Sequence, residues 1–554
     1  VGLTFLVYDE AGRPAEDVAL RNVCLYEADD VAVPGSVVFD QGLVRCGPAT
    51  QGAAALALQW PVQGMGRLTL RTCLLPQREA PYLLSLELAR RAIMLFLVKL
   101  EDWGLHELDA SDPAMARFEE ARRVFIEALS AQPAPAQGAE APADPFAHAT
   151  GEQDALARRA LALAIEAAET LALTRADEDL GARLLRAETH KAGEGARPVV
   201  GCAVTGAKNS GPLRRVVQET FDFINLPMRW VRLEPVEGRY DFQPTDRWIE
   251  WAVRVARMPV VAGPLVDFGP GACPDWLHIW ENDYETLREV VFAHVKKVVT
   301  RYRKTVRTWT ITSSLQVAEP FALTVEQALD LTRTCALVVR KLRRDARIQV
   351  EIAQPFGEYG SRPGAQALPP HHYAELLRQA GVPLDAFAVR LQVGDPAPGR
   401  STRDLATLSD LLDRFSVYEK PLAVTVLGAP ARPVPPSPED VRAGRDGGDW
   451  RGPWSEAVQA DWMTRALLIA LAKPFVTSVC WQELYDTNEP GMTPHGGLIS
   501  AEGQPRTALK RMTEIHRRLM RPAAEGAASA ADLRKRAEAI MQQPAGDSSS
   551  SAAG

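Results

Sequence analysis

Long apolar runs, an excess of positive charge and paired cysteines are all missing from this sequence of 554 residues. No uninterrupted apolar stretch exceeds the one near Ala92 to Val98, far short of the ~18 residues that a membrane-spanning helix needs. Between Val1 and Glu10 no basic segment precedes the short apolar run, as a secretory signal requires. The expectation is a cytoplasmic chain with no membrane partner. Basic side chains number 63 against 70 acidic ones, a net charge of −7. No basic stripe that would track a phosphate backbone stands out, so no nucleic-acid partner is expected. The seven cysteines (Cys24, Cys46, Cys73, Cys202, Cys273, Cys335, Cys480) are odd in number and scattered. None forms a C-x-x-C pair or lies beside histidines at ligand spacing, which argues against a disulfide framework and against zinc. They are expected as buried free thiols. The adjacent His371 and His372 point to different sides of any regular element, so no metal site is expected there, and no cofactor is implied.

What the sequence does contain is an average globular composition, 46% apolar and 24% charged. At ~150 residues per domain its length points to three or four domains, fewer if one is an α/β barrel of about 250 residues. Residues 1–80 carry short alternating runs (Leu3 to Tyr8, Ser36 to Phe39, Ala53 to Leu58, Arg67 to Leu70) broken by Gly, Pro and Asp turns, the pattern of a small β-sandwich. Residues 81–196 change to a helical period, through Leu84, Leu86, Leu88 and on to Leu97, then Pro113 to about Ala131, then Gly151 to about Lys191. They read as a helical connector. Within it, 132–150 is rich in Pro and Ala with few large apolar side chains, too few to offset the entropy of ordering, and is expected as an exposed mobile loop. Residues 522–554 are expected to be helical and then disordered.

Residues 197–521 are the most regular part. Eight β-branched runs follow one another: Val199 to Val204, Ile224 to Trp230, Val260 to Val266, Val306 to Thr312, Ile348 to Ala353, Ala386 to Val393, Leu422 to Leu427 and Val476 to Trp481. Helical patterns lie between most of them, for example Tyr284 to Tyr302, Val325 to Leu342 and Ala457 to Leu471. Each parallel strand needs a crossover helix, so strand then helix repeated eight times predicts a (β/α)8 barrel. The fold class is α/β, a (β/α)8 TIM barrel preceded by a small β-sandwich-like module and a helical connector.

In such a barrel the chemistry sits at the carboxyl ends of the strands. Strand two runs into Pro227-Met228-Arg229-Trp230, then Glu234-Pro235, Gly238-Arg239-Tyr240-Asp241-Phe242 and Asp246. Strand three gives Gly263-Pro264-Leu265-Val266 and Pro274-Asp275-Trp276, and strand four Trp309-Thr310-Ile311-Thr312-Ser313-Ser314. Strand eight gives Val479-Cys480-Trp481-Gln482-Glu483 with Asp486, and Gly497-Leu498-Ile499 with Gly503-Gln504-Pro505-Arg506 closes the series. This succession resembles glycoside hydrolase family ten, the endo-β-1,4-xylanases, whose chains read M-K-W, E-P, G-x-F-x-F, D, G-H-T-L-V-W-H, P-x-W, W-D-V-V-N-E, T-E-L-D and T-x-W-G-x-x-D in the same order. The resemblance implies the barrel and a β-linked oligosaccharide or glycan as partner. Where the family does its chemistry, the residues differ. The acid glutamate of W-D-V-V-N-E falls on Ser314, the asparagine before it on Ser313, and the nucleophilic glutamate of T-E-L-D on Val426. The histidine of G-H-T falls on Pro264, and the one near the end of strand six on Gln392. A retaining glycosidase needs two carboxylates about 5–5.5 Å apart. Serine is no acid near neutral pH and valine no nucleophile, so the retaining pair is absent from these positions.

Other acids near the strand ends are Asp267, Glu319, Glu358, Glu483 and Asp486. Glu483, Asp486 and Glu358 are the candidates for a relocated catalytic set. Glu483 and Asp486 stand three apart after a Trp, spacing that suits one cleft. The alternative is that these acids pair with Arg229, Arg390 or loop N–H groups. Sugar rings stack on indole while neighbouring polar groups take the hydroxyls, so Trp309, Trp454 and Trp481, with Arg229 and Gln392, are candidate substrate-binding residues, and core packing is the alternative for the tryptophans. Trp230, Trp248 and Trp251 are expected in the core. The function read here is carbohydrate-directed: a β-glycan or oligosaccharide binder, or a degenerate glycosidase. The alternatives are a working hydrolase using the relocated acids, and a scaffold that only supplies surfaces.

Overall fold

The structure, a computed structural model, describes residues 2–48, 52–131, 144–189, 197–205, 209–317, 321–361, 367–487 and 489–520. Most of the expected mobile loop (132–143), the tail from 521 onward and Glu319 lie outside these residues.

The first module holds β1 (Leu3–Leu6), β2 (Cys24–Tyr26), β3 (Ala32–Val33), β4 (Gly35–Asp40), β5 (Leu43–Pro48), β6 (Ala55–Val62), β7 (Gly66–Arg71) and β8 (Tyr82–Leu83). They form two four-stranded sheets, β4-β5-β1-β8 and β3-β2-β6-β7. Phe5 and Val44 from one sheet share a core with Leu56, Leu58 and Leu68 from the other. The module runs to Leu83 instead of stopping at residue 80, because β8 pairs in parallel with β1 before the chain turns into a helix.

Three helices follow: α1 (Leu84–Asp102), α2 (Pro113–Ser130) and α3 (Gly151–Thr189). Asp112 caps α2 by accepting from the Ala114 N–H at 2.8 Å, with Pro113 just inside the start, where its missing N–H costs nothing. Along α3 a stripe of small and branched residues, Ala157, Ala160, Leu161, Ala164, Ala168 and Leu171, is buried. It packs on α1, α2 and the barrel helices Leu405–Arg414 and Glu456–Ala472. The Arg183 guanidinium donates to the carbonyls of Leu471, Lys473 and Val476 at 2.7, 2.7 and 2.8 Å, filling acceptors that the end of that last helix leaves open. The buried Glu169 accepts from the Leu405 N–H (2.9 Å) and the Trp450 indole (3.0 Å). The connector is thereby fastened to the barrel by polar groups as well as by packing.

The barrel strands are β9 (Val199–Ala203), β10 (Phe223–Leu226), β11 (Val260–Ala262), β12 (Val266–Asp267), β13 (Thr308–Ser313), β14 (Arg347–Ile352), β15 (Ala386–Gln392), β16 (Leu422–Gly428) and β17 (Val476–Trp481). Their order is β11-β10-β9-β17-β16-β15-β14-β13-β12, and β11 also pairs with β13. The cylinder closes as eight parallel strands, with β12 continuing the third after Gly263-Pro264. The expected fold class holds. Inside the cylinder, Ala203, Phe223 and Cys480 form a small apolar cluster. Gly201 belongs to it by having no side chain, since a Cβ there would run into the Phe223 ring. All seven cysteines are free thiols, six of them buried, and among the described residues no helix is long and apolar enough to cross a membrane.

Candidate functional site

Three barrel ladders carry register irregularities, and two of these bear on which side chains reach the mouth. On β13, Thr310 is level with Gln349, but Ser313, not Thr312, is level with Glu351. On β16, Val424 is level with Val389, but Val426 is level with Arg390. An extra residue re-aims the side chains that follow it. Thr310 accepts from Gln349 at 2.8 Å inside the barrel, and Ser313 still reaches inward to Glu351 at 2.7 Å.

Glu351, 1% exposed, is the centre of the site. Its Oε1 accepts from Arg390 Nε (3.1 Å), Arg390 Nη2 (2.7 Å) and Ser313 Oγ (2.7 Å), and its Oε2 accepts from the Thr425 hydroxyl. Arg390 Nη2 also reaches Asp267 Oδ2 at 3.3 Å. Asp267 Oδ1 accepts from Ser314 Oγ and from the Gly269 N–H, both at 2.8 Å. Burial alone would push the Arg390 guanidinium down, but the Glu351 and Asp267 carboxylates outweigh it and hold the group above its usual value. Bonded to one guanidinium nitrogen, the two carboxylates have their nearest oxygens no more than about 6 Å apart. Each of their four oxygens already accepts a hydrogen bond.

Around this network opens a cavity of about 940 Å³. Gln392 donates to Gln482 Oε1 at 3.0 Å, and Arg400 bridges Asp395 (2.8 Å) and the Gly491 carbonyl (2.6 Å). Gly428 leaves the space that the Gln482 side chain fills. Arg229 also lines the wall. Burial pushes its guanidinium below the usual value, and its ion pair with Glu489 is long, at 3.5 Å. Among the described residues no Trp, Tyr or Phe lines this cavity.

The aromatic platform expected at the mouth is therefore not there. Trp309 (0% exposed) neighbours the inward Thr310 and so lies on the outer face of β13, under the helices. Trp481 (1% exposed) donates to the Gly496 carbonyl at 2.9 Å, and Trp454 (3% exposed) donates to the Gly448 carbonyl at 3.0 Å and packs edge-on to Trp462. These three belong with Trp230, Trp248 and Trp251 in the packed interior. Of the expected binding residues, Arg229 and Gln392 line the cavity, as does Ser314. Val426 lines its inner end with Glu351 and Arg390.

Of the three candidate acids, Glu483 and Asp486 lie near enough for the Asp486 charge to act on Glu483, and Glu358 stands apart. Asp486 is held by a bidentate pair with Arg506 (2.8 and 2.6 Å) and by the Gly497 N–H (2.8 Å). Glu358 pairs with Arg403 beside an adjoining cavity that shares Gln354, Gly399 and Arg445 with the mouth and reaches toward the sandwich. Glu483 is fully buried, and only its neighbour Thr487 lines the mouth. Its Oε2 accepts from Thr487 at 2.6 Å, its Oε1 has no partner, and burial pushes its carboxyl up to about 8. Of the groups that do meet, Glu351 escaped the sequence reading, while Arg390 was named there as a partner for strand-end acids and does pair with one of them, Asp267. The signal was a lone charge in an apolar strand, Val350-Glu351-Ile352 and Val389-Arg390-Leu391, because a charge is buried in a strand only when another charge meets it. No cluster of three or more metal-ligating side chains occurs among the described residues.

Residues 189–318 match the family model described as glycosyl hydrolase family 10. That segment spans the first four barrel strands and includes Ser314. Similar solved structures include xylanase B from Clostridium stercorarium F9, at 13% identity over 57% of this chain and 95% of that one, with a TM-score of 0.43. Native xylanase 10B from Thermotoga maritima is 17% identical over 62% of this chain and 98% of that one, with a TM-score of 0.42. A family 10 structure from Paenibacillus barcinonensis is 17% identical over 58% and 95%, with a TM-score of 0.43.

Proposed function

We propose that the barrel mouth is a carbohydrate-binding cleft that does not hydrolyse its ligand by the retaining route. The observation that carries this reading is the closed Glu351–Arg390–Asp267 network beside Ser314 and Val426. Double displacement needs one carboxyl that holds a proton for the leaving oxygen and one carboxylate free to attack. Here the two carboxylates nearest the family's catalytic positions are turned to a guanidinium, to hydroxyls and to a backbone N–H. What the cleft offers is hydrogen bonding: Arg229, Gln392, Asp395 and Arg400 stand where the hydroxyls of a β-linked oligosaccharide find donors and acceptors. Isothermal titration with xylo- and gluco-oligosaccharides tests the binding, and a fluorinated mechanism-based sugar followed by mass spectrometry tests the chemistry. Saturable binding, weakened by Gln392→Ala, with no covalent adduct is the expected result. A flat response across the panel would remove the carbohydrate assignment, and a glycosyl adduct would remove the non-hydrolytic part.

A second reading, a hydrolase acting through Glu483, has one observation in its favour. Burial holds that carboxyl protonated near neutral pH, the state a general acid requires. On this reading Glu483→Gln abolishes turnover of an aryl glycoside and leaves affinity nearly intact. Absence of turnover by the unaltered protein discards it.

A further inference from the structure

A second cavity, of about 120 Å³, lies where the sandwich, α1, α3 and the barrel meet, and it shares no lining residue with the mouth. On the connector side its wall is apolar, with Leu88 and Leu95 from α1 and Leu161 and Ile165 from α3. On the opposite side it is charged, with Arg71, Arg91, Arg403 and Arg414 against Asp30, Asp404 and Asp410. Asp30 is shared by two guanidiniums, those of Arg71 and Arg414. Asp410 is taken by Lys99 at 2.8 Å, and Arg403 is taken by Glu358. Asp404 is turned to the Thr407 N–H and hydroxyl.

Arg91 is left over. It lines the cavity, is only half-exposed, and makes no hydrogen bond or ion pair among the described residues. Burial and the neighbouring Arg71 charge push its guanidinium below the usual value, against the weaker pull of Asp30 and Asp410. Thr69 and His371 line the same cavity, and Thr69 Oγ1 and His371 Nε2 are both buried without a partner. Native interiors leave few polar groups unpaired, and a guanidinium whose neighbouring carboxylates, Asp30 and Asp410, are already bonded to other cations is costly to bury. Arg91, Thr69 Oγ1 and His371 Nε2 thus face one void, an arrangement that suits a ligand with acceptor oxygens.

We propose that this cavity binds a small organic carboxylate, its charged group paired with Arg91 and its short aliphatic body against the leucines of α1 and α3. The apolar wall asks for a body as well as a charge, which a bare anion does not supply. Because the walls come from all three modules, an occupant would tie them together. The proposal stands apart from the sugar reading of the mouth.

The test is calorimetric titration of the full chain with sodium butyrate, with butyramide as the neutral isostere and inorganic phosphate as the bare anion. Butyrate is expected to bind saturably at one site, with butyramide and phosphate each at least tenfold weaker. Arg91→Met should weaken butyrate at least tenfold, and so should Leu161→Trp, which fills the void while keeping every charge. Butyrate binding no tighter than butyramide, or unchanged in a folded Arg91→Met protein, would overturn the proposal. Phosphate binding as tightly as butyrate would overturn it too, since the apolar wall would then contribute nothing. Should either variant fail to fold, the other locates the site, and the comparison of the three ligands on the unaltered protein decides the chemistry.

Discussion

Replacing Arg390 by methionine removes the one cation shared by Asp267 and Glu351 while keeping most of the apolar stem. Glu351 would retain the hydroxyls of Ser313 and Thr425, and Asp267 would retain Ser314 and the Gly269 N–H. Removing one partner of a buried ion pair costs about 3–5 kcal/mol, because the survivor keeps its desolvation penalty. Four remaining hydrogen bonds place Arg390→Met at the lower end, about 3 kcal/mol, or about 6 °C in melting temperature for a domain of this size. The deficit should also depend on pH in one direction. Without the guanidinium, the buried Glu351 site favours the protonated carboxyl, so the variant's native state takes up a proton that the unfolded chain binds only at lower pH. Its stability therefore rises relative to the unaltered protein as pH falls from 7 toward 5. Glu351→Gln in the Arg390→Met background removes the stranded charge and should return part of the loss, giving a coupling of about 2 kcal/mol in a double-mutant cycle. Urea and thermal unfolding followed by circular dichroism measure all three variants. An Arg390→Met protein within about 0.5 kcal/mol of the unaltered chain at pH 7, or a deficit that grows toward acid, would refute the view that this guanidinium is the pivot of the mouth.

Glu483 carries a pH signature of its own. Its carboxyl is raised from an ordinary 4.5 to about 8, so the native state holds a proton that the unfolded chain has released, and this residue's contribution to stability is full below about 4.5 and is lost as pH rises through about 8. Glu483→Gln should flatten the melting-temperature profile between pH 5 and 9 and be the more stable form at pH 8; parallel profiles would contradict this. Trp481→Ala removes a buried indole and leaves the Gly496 carbonyl without its donor. It should cost about 3–5 kcal/mol without a specific loss of oligosaccharide affinity, and selective loss of affinity at an unchanged melting temperature would return Trp481 to the cleft.

The architecture was legible because it is written in repeats. The run from Val476 to Trp481 coincides with β17, and the periods from Tyr284 to Tyr302 and from Val325 to Leu342 coincide with two barrel helices. Strand alternation and helical period are local properties, and each was strong enough to survive packing. The site was less legible for a geometric reason. Which face of a strand a residue occupies flips with every position, and a single bulge reverses the count. Trp309 lies one residue from the inward Thr310 and points away from the mouth, while Ser313 comes back inward because of the irregularity before it. Nor does sequence spacing report ion-pair partners. Glu351 and Arg390 are 39 positions apart, and only closure of neighbouring strands brings them together.

Ser314, Val426 and the central arginine belong to one electrostatic arrangement. Val426 stands level with Arg390 across the β15–β16 ladder, and Ser314 donates to Asp267, the second carboxylate on that guanidinium. A glutamate at each position would crowd four carboxylates around Arg390, with only Arg229 as a further cation in the same wall. Like charges about 4 Å apart repel by about 4 kcal/mol at the effective dielectric of a protein site. The added charges would therefore be relieved only by proton uptake or by displacing Asp267 and Glu351 from their partners. The double change Ser314→Glu with Val426→Glu is expected to lower the melting temperature by several degrees at pH 7, with the deficit shrinking toward pH 5 as carboxyls are protonated. It should show no turnover of an aryl β-xyloside, since neither new carboxyl would be free to attack and Pro264 and Gln392 supply none of the histidine contacts that orient a sugar in the family this barrel resembles. Turnover above the unaltered protein, with a covalent intermediate trapped on residue 426, would show that the guanidinium does not command the site and that the retaining geometry had survived beneath it.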